Sequence, residues 1–398
     1  MSNIDTLIKK LCPDGIPVKK LGEVVKFLNG RAYKKNELLD EGKYPVLRVG
    51  NFFTSEKWYY SDLELDEDKY CENGDLLYAW AASLGPMIWS GEKVIFHYHI
   101  WKLIFDESIL NKQYLYHFLK NDVDEIYNSL THSTMPHVSM ANMKERLISV
   151  PPIEVQLEIV SMLDELDMYE SSLMDKLEEE KCLRKEQFDA YAIRLLTGEN
   201  EGKEYENVEL KQIAKFSYGY TDKAKDAGSV RFIRITDIDE NGFLKNNDAK
   251  YIDYSEDVEK YMLHKGDIVM ARTGATYGKT LYVPNDEPAA YASFLIKISF
   301  DNSIMDNKFY WFFTRTQMYW KQANKYVSTG GQPQFNTGAI GRVCVPVPPL
   351  IEQKMICEKL EKLDTAFRKM IALLENEILL RQKELAYYRK KLLSGSVK

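Results

Sequence analysis

Cysteine is scarce and never paired in sequence. The five cysteines (Cys12, Cys71, Cys182, Cys344 and Cys357) are scattered over 398 residues, with no CxxC pair and an odd total. No disulfide framework or cysteine zinc knuckle is encoded, and reduced thiols in a cytoplasmic protein are expected. No apolar run reaches the roughly 18 residues of a membrane span, so no membrane role is expected. The opening residues 1–10 are polar and lack the core of a secretory signal.

An excess of positive charge is missing too. The formal net charge is −7. Residues 153–206 hold 16 Asp/Glu against 6 Lys/Arg, and residues 350–398 hold 7 against 11. The remaining globular stretches are close to neutral. Bulk charge therefore neither supports nor forbids nucleic acid, and any DNA contact must come from local basic patches and base-edge contacts, with or without help from a basic partner.

Catalytic signatures fail on inspection. Gly274-Ala275-Thr276-Tyr277-Gly278-Lys279-Thr280 has three residues between its glycines, where a phosphate-binding loop needs four and a following helix. Val150-Pro151-Pro152-Ile153 and Val347-Pro348-Pro349-Leu350 lack the polar residue before the prolines and the aromatic after them that an amino-methyltransferase requires. His97-Tyr98-His99 places two imidazoles on one strand face, but no cluster at ligand spacing completes a metal site, and structural histidines are favoured. No nucleophile motif is present. His132 and His137 flank Ser133-Thr134-Met135-Pro136 in a polar loop, a better place for a functional group.

What is present is a repeat. Leu21–Phe27 matches Leu210–Phe216, Leu47-Arg48-Val49 matches Ile233-Arg234-Ile235, Gly74–Trp80 matches Gly266–Arg272, Pro151-Pro152 with Gln156 matches Pro348-Pro349 with Gln353, and Leu195–Gly198 matches Leu392–Gly395. The offsets drift from 189 to 186 to 192, then stay fixed at 197 from the Pro-Pro pair onward. Each copy thus has a variable globular part and a tail of constant length, as a rigid spacer requires.

The tails read as helices opened by Pro-Pro and closed by Gly198 and Gly395. Leu360, Leu363, Phe367, Met370, Leu374, Ile378, Arg381, Leu385, Tyr388 and Leu392 step by three and four, the seam of a coiled coil. Leu163, Leu166, Glu170, Leu173, Leu177, Lys181, Arg184, Phe188, Tyr191 and Leu195 repeat it with polar interruptions. About 44 residues per helix correspond to roughly 66 Å. Asp164, Glu165 and Asp167 near the start of the first helix and Arg389, Lys390 and Lys391 near the end of the second favour antiparallel pairing within the chain. Packing on separate partners, or homodimerisation, is the alternative.

The expected fold class is α+β: two mixed α/β domains and two long helices forming an intramolecular antiparallel coiled coil, with pseudo-twofold internal symmetry. The boundaries read as domain 1–150, spacer 151–198, linker 199–205, domain 206–347 and spacer 348–398. Strands are expected over Pro45–Gly50, Gly74–Trp80, Lys93–Phe105, Arg231–Ile238, Gly266–Arg272 and Ala289–Phe300, and helices over Lys112–Asn128 and Asn307–Tyr326.

Several segments resemble one family. Leu11-Cys12-Pro13-Asp14-Gly15 followed by Lys20-Leu21-Gly22-Glu23 is similar to the opening of type I restriction–modification specificity subunits. Gly74–Gly85 and Gly266–Lys279 look like that family's strand-and-loop signature, and Val345-Pro346-Val347-Pro348-Pro349-Leu350-Ile351-Glu352-Gln353 its most specific mark. The first copy departs by placing Glu154 two residues before Gln156. The resemblance spans nearly the whole chain. It implies two target-recognition domains, each followed by a helical spacer, and assembly with two methyltransferase subunits and two restriction/translocase subunits. S-adenosylmethionine and ATP would sit on those partners, with no cofactor or metal and no catalysis in this chain.

An antiparallel pair would put one domain at each end of a rod, and each would read one half of a split, asymmetric site in double-stranded DNA, one to two helical turns apart. Base reading needs Arg, Asn, Gln and small polar groups on loops that reach the groove. The candidates are Arg31, Lys34, Arg48, Asn51, Ser83, His132 and Thr134 in the first copy, and Arg272, Thr273, Tyr277, Lys279, Ser328, Gln332, Gln334 and Asn336 in the second. Each competes with an ordinary exposed polar role, and the match of Arg48 to Arg234 favours a structural one there. The stretch 328–336 is preferred, and losing Gln332 and Gln334 together should cost about 1–3 kcal/mol per bidentate base contact. A repeat-built scaffold without sequence-selective DNA reading is the rival from another class.

Overall fold

The computed structural model describes residues 3–129, 136–328 and 330–394. The fold is α+β, and the chain divides into two compact units, residues 1–176 with 376–398, and residues 177–375.

In the first unit one antiparallel sheet runs in the order Lys26–Asn29, Ile100–Ile104, Leu76–Ala79, Gly85–Ile88. A second runs Tyr60–Ser61, Tyr44–Leu47, Val94–Phe96, Tyr70–Cys71, with a parallel central pair. The second unit repeats both: Ala214–Tyr218, Leu295–Phe300, Ile268–Ala271, Thr280–Tyr282, and Tyr251–Ile252, Val230–Ile233, Ala289–Tyr291, Met262–Leu263, again with a parallel central pair. The Gly-Asp motif before each central strand has a structural task. Asp75 and Asp267 each accept a backbone N–H (Glu72, 2.8 Å; His264, 2.8 Å) and each pair with a lysine of the neighbouring strand, Lys102 and Lys297, at 2.6 Å.

Several predicted elements are shorter than expected. The strand over Lys93–Phe105 is two strands, Val94–Phe96 and Ile100–Ile104, broken by a turn at His97-Tyr98-His99 in which Ile100 N–H donates to His97 O at 2.9 Å. The two histidines therefore share a turn rather than a strand face. Ala289–Phe300 breaks in the same way at Ala292-Ser293-Phe294. The strands begun at Tyr44 and Val230 end at Leu47 and Ile233, and short helices (Val49–Phe53 and Ile235–Asp237) follow. The aromatic helix splits into Asn307–Thr314 and Gln317–Tyr326 because the Thr316 side chain caps a new helix start, accepting from Tyr319 N–H.

The long helices are Ile153–Thr197 and Leu350–Leu393. Gly198 follows the first with φ +79°, the left-handed conformation that lets the chain turn away; Gly395 lies outside the described residues. Their antiparallel pairing is visible inside each unit. In the first, Val155, Ile159 and Leu163 share a core with Leu392 and Leu393. Arg389 donates to Asp167 at 2.6 Å and to Glu170. In the second, Ala192, Leu195 and Leu196 share a core with Ile356, Cys357 and Leu360, and Phe188 stacks on Phe367 with centroids 4.9 Å apart. The charge match is partly different from expectation. Lys390 pairs with Glu125 at 2.6 Å and Asp164 with His117 at 2.8 Å, so these two meet partners in the globular part while Arg389 bridges the helices. Two polar interruptions of the first seam are answered across the pair, Glu170 by Arg389 and Lys181 by Glu375 at 3.2 Å, while Arg184 bonds Glu180 on its own helix. Among the described residues no helix is long and apolar enough to cross a membrane.

Candidate nucleic-acid interface

At the end of the antiparallel sheet in each unit the same three backbone segments meet. In the first unit, Trp80 N–H donates to His99 O (3.0 Å), while Trp80 O and Ala82 N–H are bonded by Val138 and Pro136 (3.0 Å each). In the second, Arg272 N–H donates to Phe294 O (3.0 Å), while Arg272 O and Gly274 N–H are bonded by Phe335 (2.7 Å) and Pro333 (3.0 Å). Ala82 and Gly274, at the same point of the loop, share the left-handed backbone (φ +68° and +69°). Gly30 and Gly219 back the two turns, and a Cβ on either would lie 2.3 Å from Phe96 O or Ala292 O. The frame is one; the side chains mounted on it differ.

In the first unit Arg48, Asn51 and Ser83 line one cavity of about 400 Å³ with Lys57, His97 and His99. Arg48 lies over Tyr59, 5.1 Å from its centroid, and its matched residue Arg234 is held differently, by Asp237 at 2.8 Å and Asp248. Arg234 is thus tied into its own loop, whereas among the described residues Arg48 meets no carboxylate. Asn51 is committed to its loop: Oδ1 accepts from Arg48 N–H and Nδ2 donates to Ser55 O and Lys57 O. Arg31 lies outside the cavity lining and is paired twice with Glu37 (2.9 and 3.0 Å), whose carboxyl that hydrogen-bonded guanidinium pulls down to about 2. Lys34 N–H donates to the same carboxylate. His132 and Thr134 lie outside the described residues.

In the second unit the loop candidates are knitted together. Gln334 Nε2 donates to Thr273 Oγ1 at 2.7 Å, Thr273 Oγ1 to Pro333 O, and Ser328 N–H to Gln334 O. Half of the Gln334 amide is thus spent inside the protein, and Gln332, exposed beside Gly274, is the freer of the two. Tyr277 is held by Asn324 at 2.9 Å, and Asn336 caps the helix Thr337–Ile340. Lys279, partly exposed, precedes the strand Thr280–Tyr282. The residues not named as base readers from sequence are those of the turns, His97 to His99 (there read as structural histidines) and Ala292 to Phe294, together with Trp80 and Tyr218. Reading each turn as strand hid them.

A family model for the type I restriction modification DNA specificity domain matches residues 13–180 and again residues 202–379, one match to each copy. The chain belongs to this family. It is a specificity subunit of type I restriction–modification, whose role is DNA recognition. It is 26% identical over 411 residues to a putative type I restriction enzyme specificity subunit of Haemophilus influenzae, covering all of both chains. It is 23% identical over 374 residues to the type I restriction enzyme MjaVIII specificity subunit of Methanocaldococcus jannaschii, covering 88% of this chain and 87% of the relative. A chain from a structure on assembly and conformational transition of the type I R-M system superposes with a TM-score of 0.65 at 16% identity, covering 96% of this chain and 98% of that one, which speaks for the fold.

The electrostatics of the first specificity domain give a measurable consequence. Burial, with His99 and Arg48 nearby, pushes the His97 imidazole down to about 4, and burial lowers His99 as well. Both are neutral at pH 7, so each can donate from one nitrogen and accept at the other. Between about pH 6.5 and 4 the unfolded chain binds a proton that folded His97 refuses. This residue's contribution is therefore present above about 6.5 and lost as pH falls toward 4. In an NMR titration the His97 ring signals should move with a midpoint below 5; a midpoint above 6 would mean an open, solvated ring.

Proposed function

We propose that this specificity subunit reads a bipartite, asymmetric site in double-stranded DNA. One half-site belongs to the recognition domain 1–150 and the other to 206–347, and the spacers 151–198 and 348–398 carry the partner subunits. The observation that carries this reading is the pair of identical backbone frames bearing different chemistry. Trp80 stands where the second copy has Arg272, His97-Tyr98-His99 where it has Ala292-Ser293-Phe294, and His137 where it has Gln334. One scaffold mounting two side-chain sets suits two half-sites of different sequence.

Chemistry is assigned to the partners: two methyltransferase subunits holding S-adenosylmethionine and two restriction/translocase subunits holding ATP, with this chain non-catalytic. Large apolar side chains exposed along the long helices support partner binding there: Met168, Tyr169, Leu380 and Tyr387 in the first unit, Ile351 and Leu373 in the second. The test is genome-wide methyladenine mapping in a host expressing the chain with its cognate methyltransferase, and again without the chain. One bipartite motif that appears only with the chain is expected. An assembled complex with no chain-dependent motif would leave a protein-assembling scaffold as the better reading.

A further inference from the structure

Arg272 is held unlike any other arginine of the two recognition frames. Its backbone is fixed on both sides by the turn and by Phe335. Its Nε donates to Ser293 O at 3.1 Å, and its guanidinium carbon lies 5.1 Å from the Tyr218 ring centroid and 5.6 Å from that of Phe294. The two aromatic residues remain 45% and 52% exposed. No acceptor meets Nη1 or Nη2 and no carboxylate pairs with Arg272 among the described residues, whereas Arg31 and Arg234 are both neutralised by acids. The result is a planar fork, oriented by one hydrogen bond and two aromatic faces, with its terminal donor edge free.

Two acceptors suit such an edge, a phosphate and the O6/N7 edge of guanine. A phosphate contact asks for charge and tolerates a mobile side chain. A fork fixed in plane and flanked by exposed aromatic rings is built for a planar base edge in a confined groove. The matched position of the first copy cannot do the same: Trp80 spends its one side-chain donor, the indole N–H, on Tyr98 O at 2.8 Å and stacks on Trp101 at 5.7 Å.

We propose that Arg272 is a specificity-determining residue of the second copy, reading one guanine through O6 and N7 in that copy's half-site. This rests on the half-site reading above. In the test, the chain complexed with its cognate methyltransferase is titrated with duplexes carrying the mapped motif. Each guanine of both half-sites is replaced in turn by adenine, and separately by 7-deazaguanine. Wild type should discriminate against adenine at one guanine by roughly 5- to 150-fold and should also lose affinity for 7-deazaguanine there. In Arg272→Lys, which keeps the charge and the stem but not the fork, discrimination at that guanine should collapse while the other positions keep theirs; Arg272→Ala should do likewise. Three results overturn the proposal: no guanine sensitive to 7-deaza substitution, unchanged discrimination in Arg272→Lys, or an equal loss on every sequence, which marks a phosphate contact. All three leave motif-selective binding by wild type intact. Failure of the wider half-site reading would show instead as no motif preference in wild type.

Discussion

Replacing Gln353 by alanine should destabilise the second unit by about 3–6 kcal/mol, although the residue touches no proposed DNA contact. Gln353 is fully buried. Its Oε1 accepts from Asp306 N–H at 2.7 Å, and its Nε2 donates to Ile304 O and Pro348 O, each at 2.8 Å. Asp306 in turn caps the aromatic helix through Lys308 and Phe309 N–H. One amide thus ties the Pro-Pro corner, the first turn of a long helix and the cap of a core helix together. Alanine leaves two carbonyls and one N–H without these partners, that of Pro348 buried and those of Ile304 and Asp306 part-buried, at about 1–3 kcal/mol each before relaxation. Gln353→Glu separates shape from hydrogen bonding, since a carboxylate still accepts but cannot donate to the two carbonyls. Hydrogen exchange of amides in Leu295–Phe300 is the suitable readout, because it reports this unit without assuming one transition for the whole chain. Wild-type protection in Gln353→Ala would refute the argument. Gln156 repeats the arrangement in the first unit, accepting from Asn111 N–H at 2.8 Å and donating to Ile109 O and Pro151 O.

That glutamine also shows what the sequence could and could not disclose. Its fixed spacing from Pro-Pro marked it as part of the repeat, and the helices were legible from proline starts, three-and-four spacing and a closing glycine. Its three partners were not legible, because they come from residues up to 49 positions away. The turns at 97–99 and 292–294 were missed because neither contains Gly or Pro, and their aromatic and small residues continue a plausible strand pattern. The candidate readers divided on the same ground. Residue type and loop position selected Arg48 and Arg272, but they equally selected Asn51, Gln334 and Asn336, whose amides the fold uses to hold its own loops. Residue type does not separate a side chain that is available from one already spent; the folded loop does, through contacts as near as three residues for Asn51 and Asn336 and as far as 61 for Gln334.

Burial can also turn a charge into a structural commitment, and Asp364→Ala should show it with a loss of about 3–5 kcal/mol in the second unit. The Asp364 side chain is 4% exposed and pairs with Arg315, itself 10% exposed, and with Arg368 at 3.0 Å. The Arg315 guanidinium sits 4.5 Å from the Trp311 ring and 5.2 Å from that of Phe243. Alanine at 364 strands that cation among aromatic rings, where the cost is the desolvated charge rather than the lost attraction. The double substitution Arg315→Met with Asp364→Leu removes both charges and keeps most of the volume, so it should lie within about 1 kcal/mol of wild type. If the double variant is as unstable as Asp364→Ala, the pair itself, and not an uncompensated charge, stabilises this corner. The matched Asp167 is a contrast within the same chain: it takes Lys120 and Arg389 where its side chain is 27% exposed. Water can solvate what remains after Asp167→Ala, so that loss should stay near 1 kcal/mol, as for pairs close to the surface. Repeated sequence positions thus carry unequal energies, set by how far each copy's core closes over them.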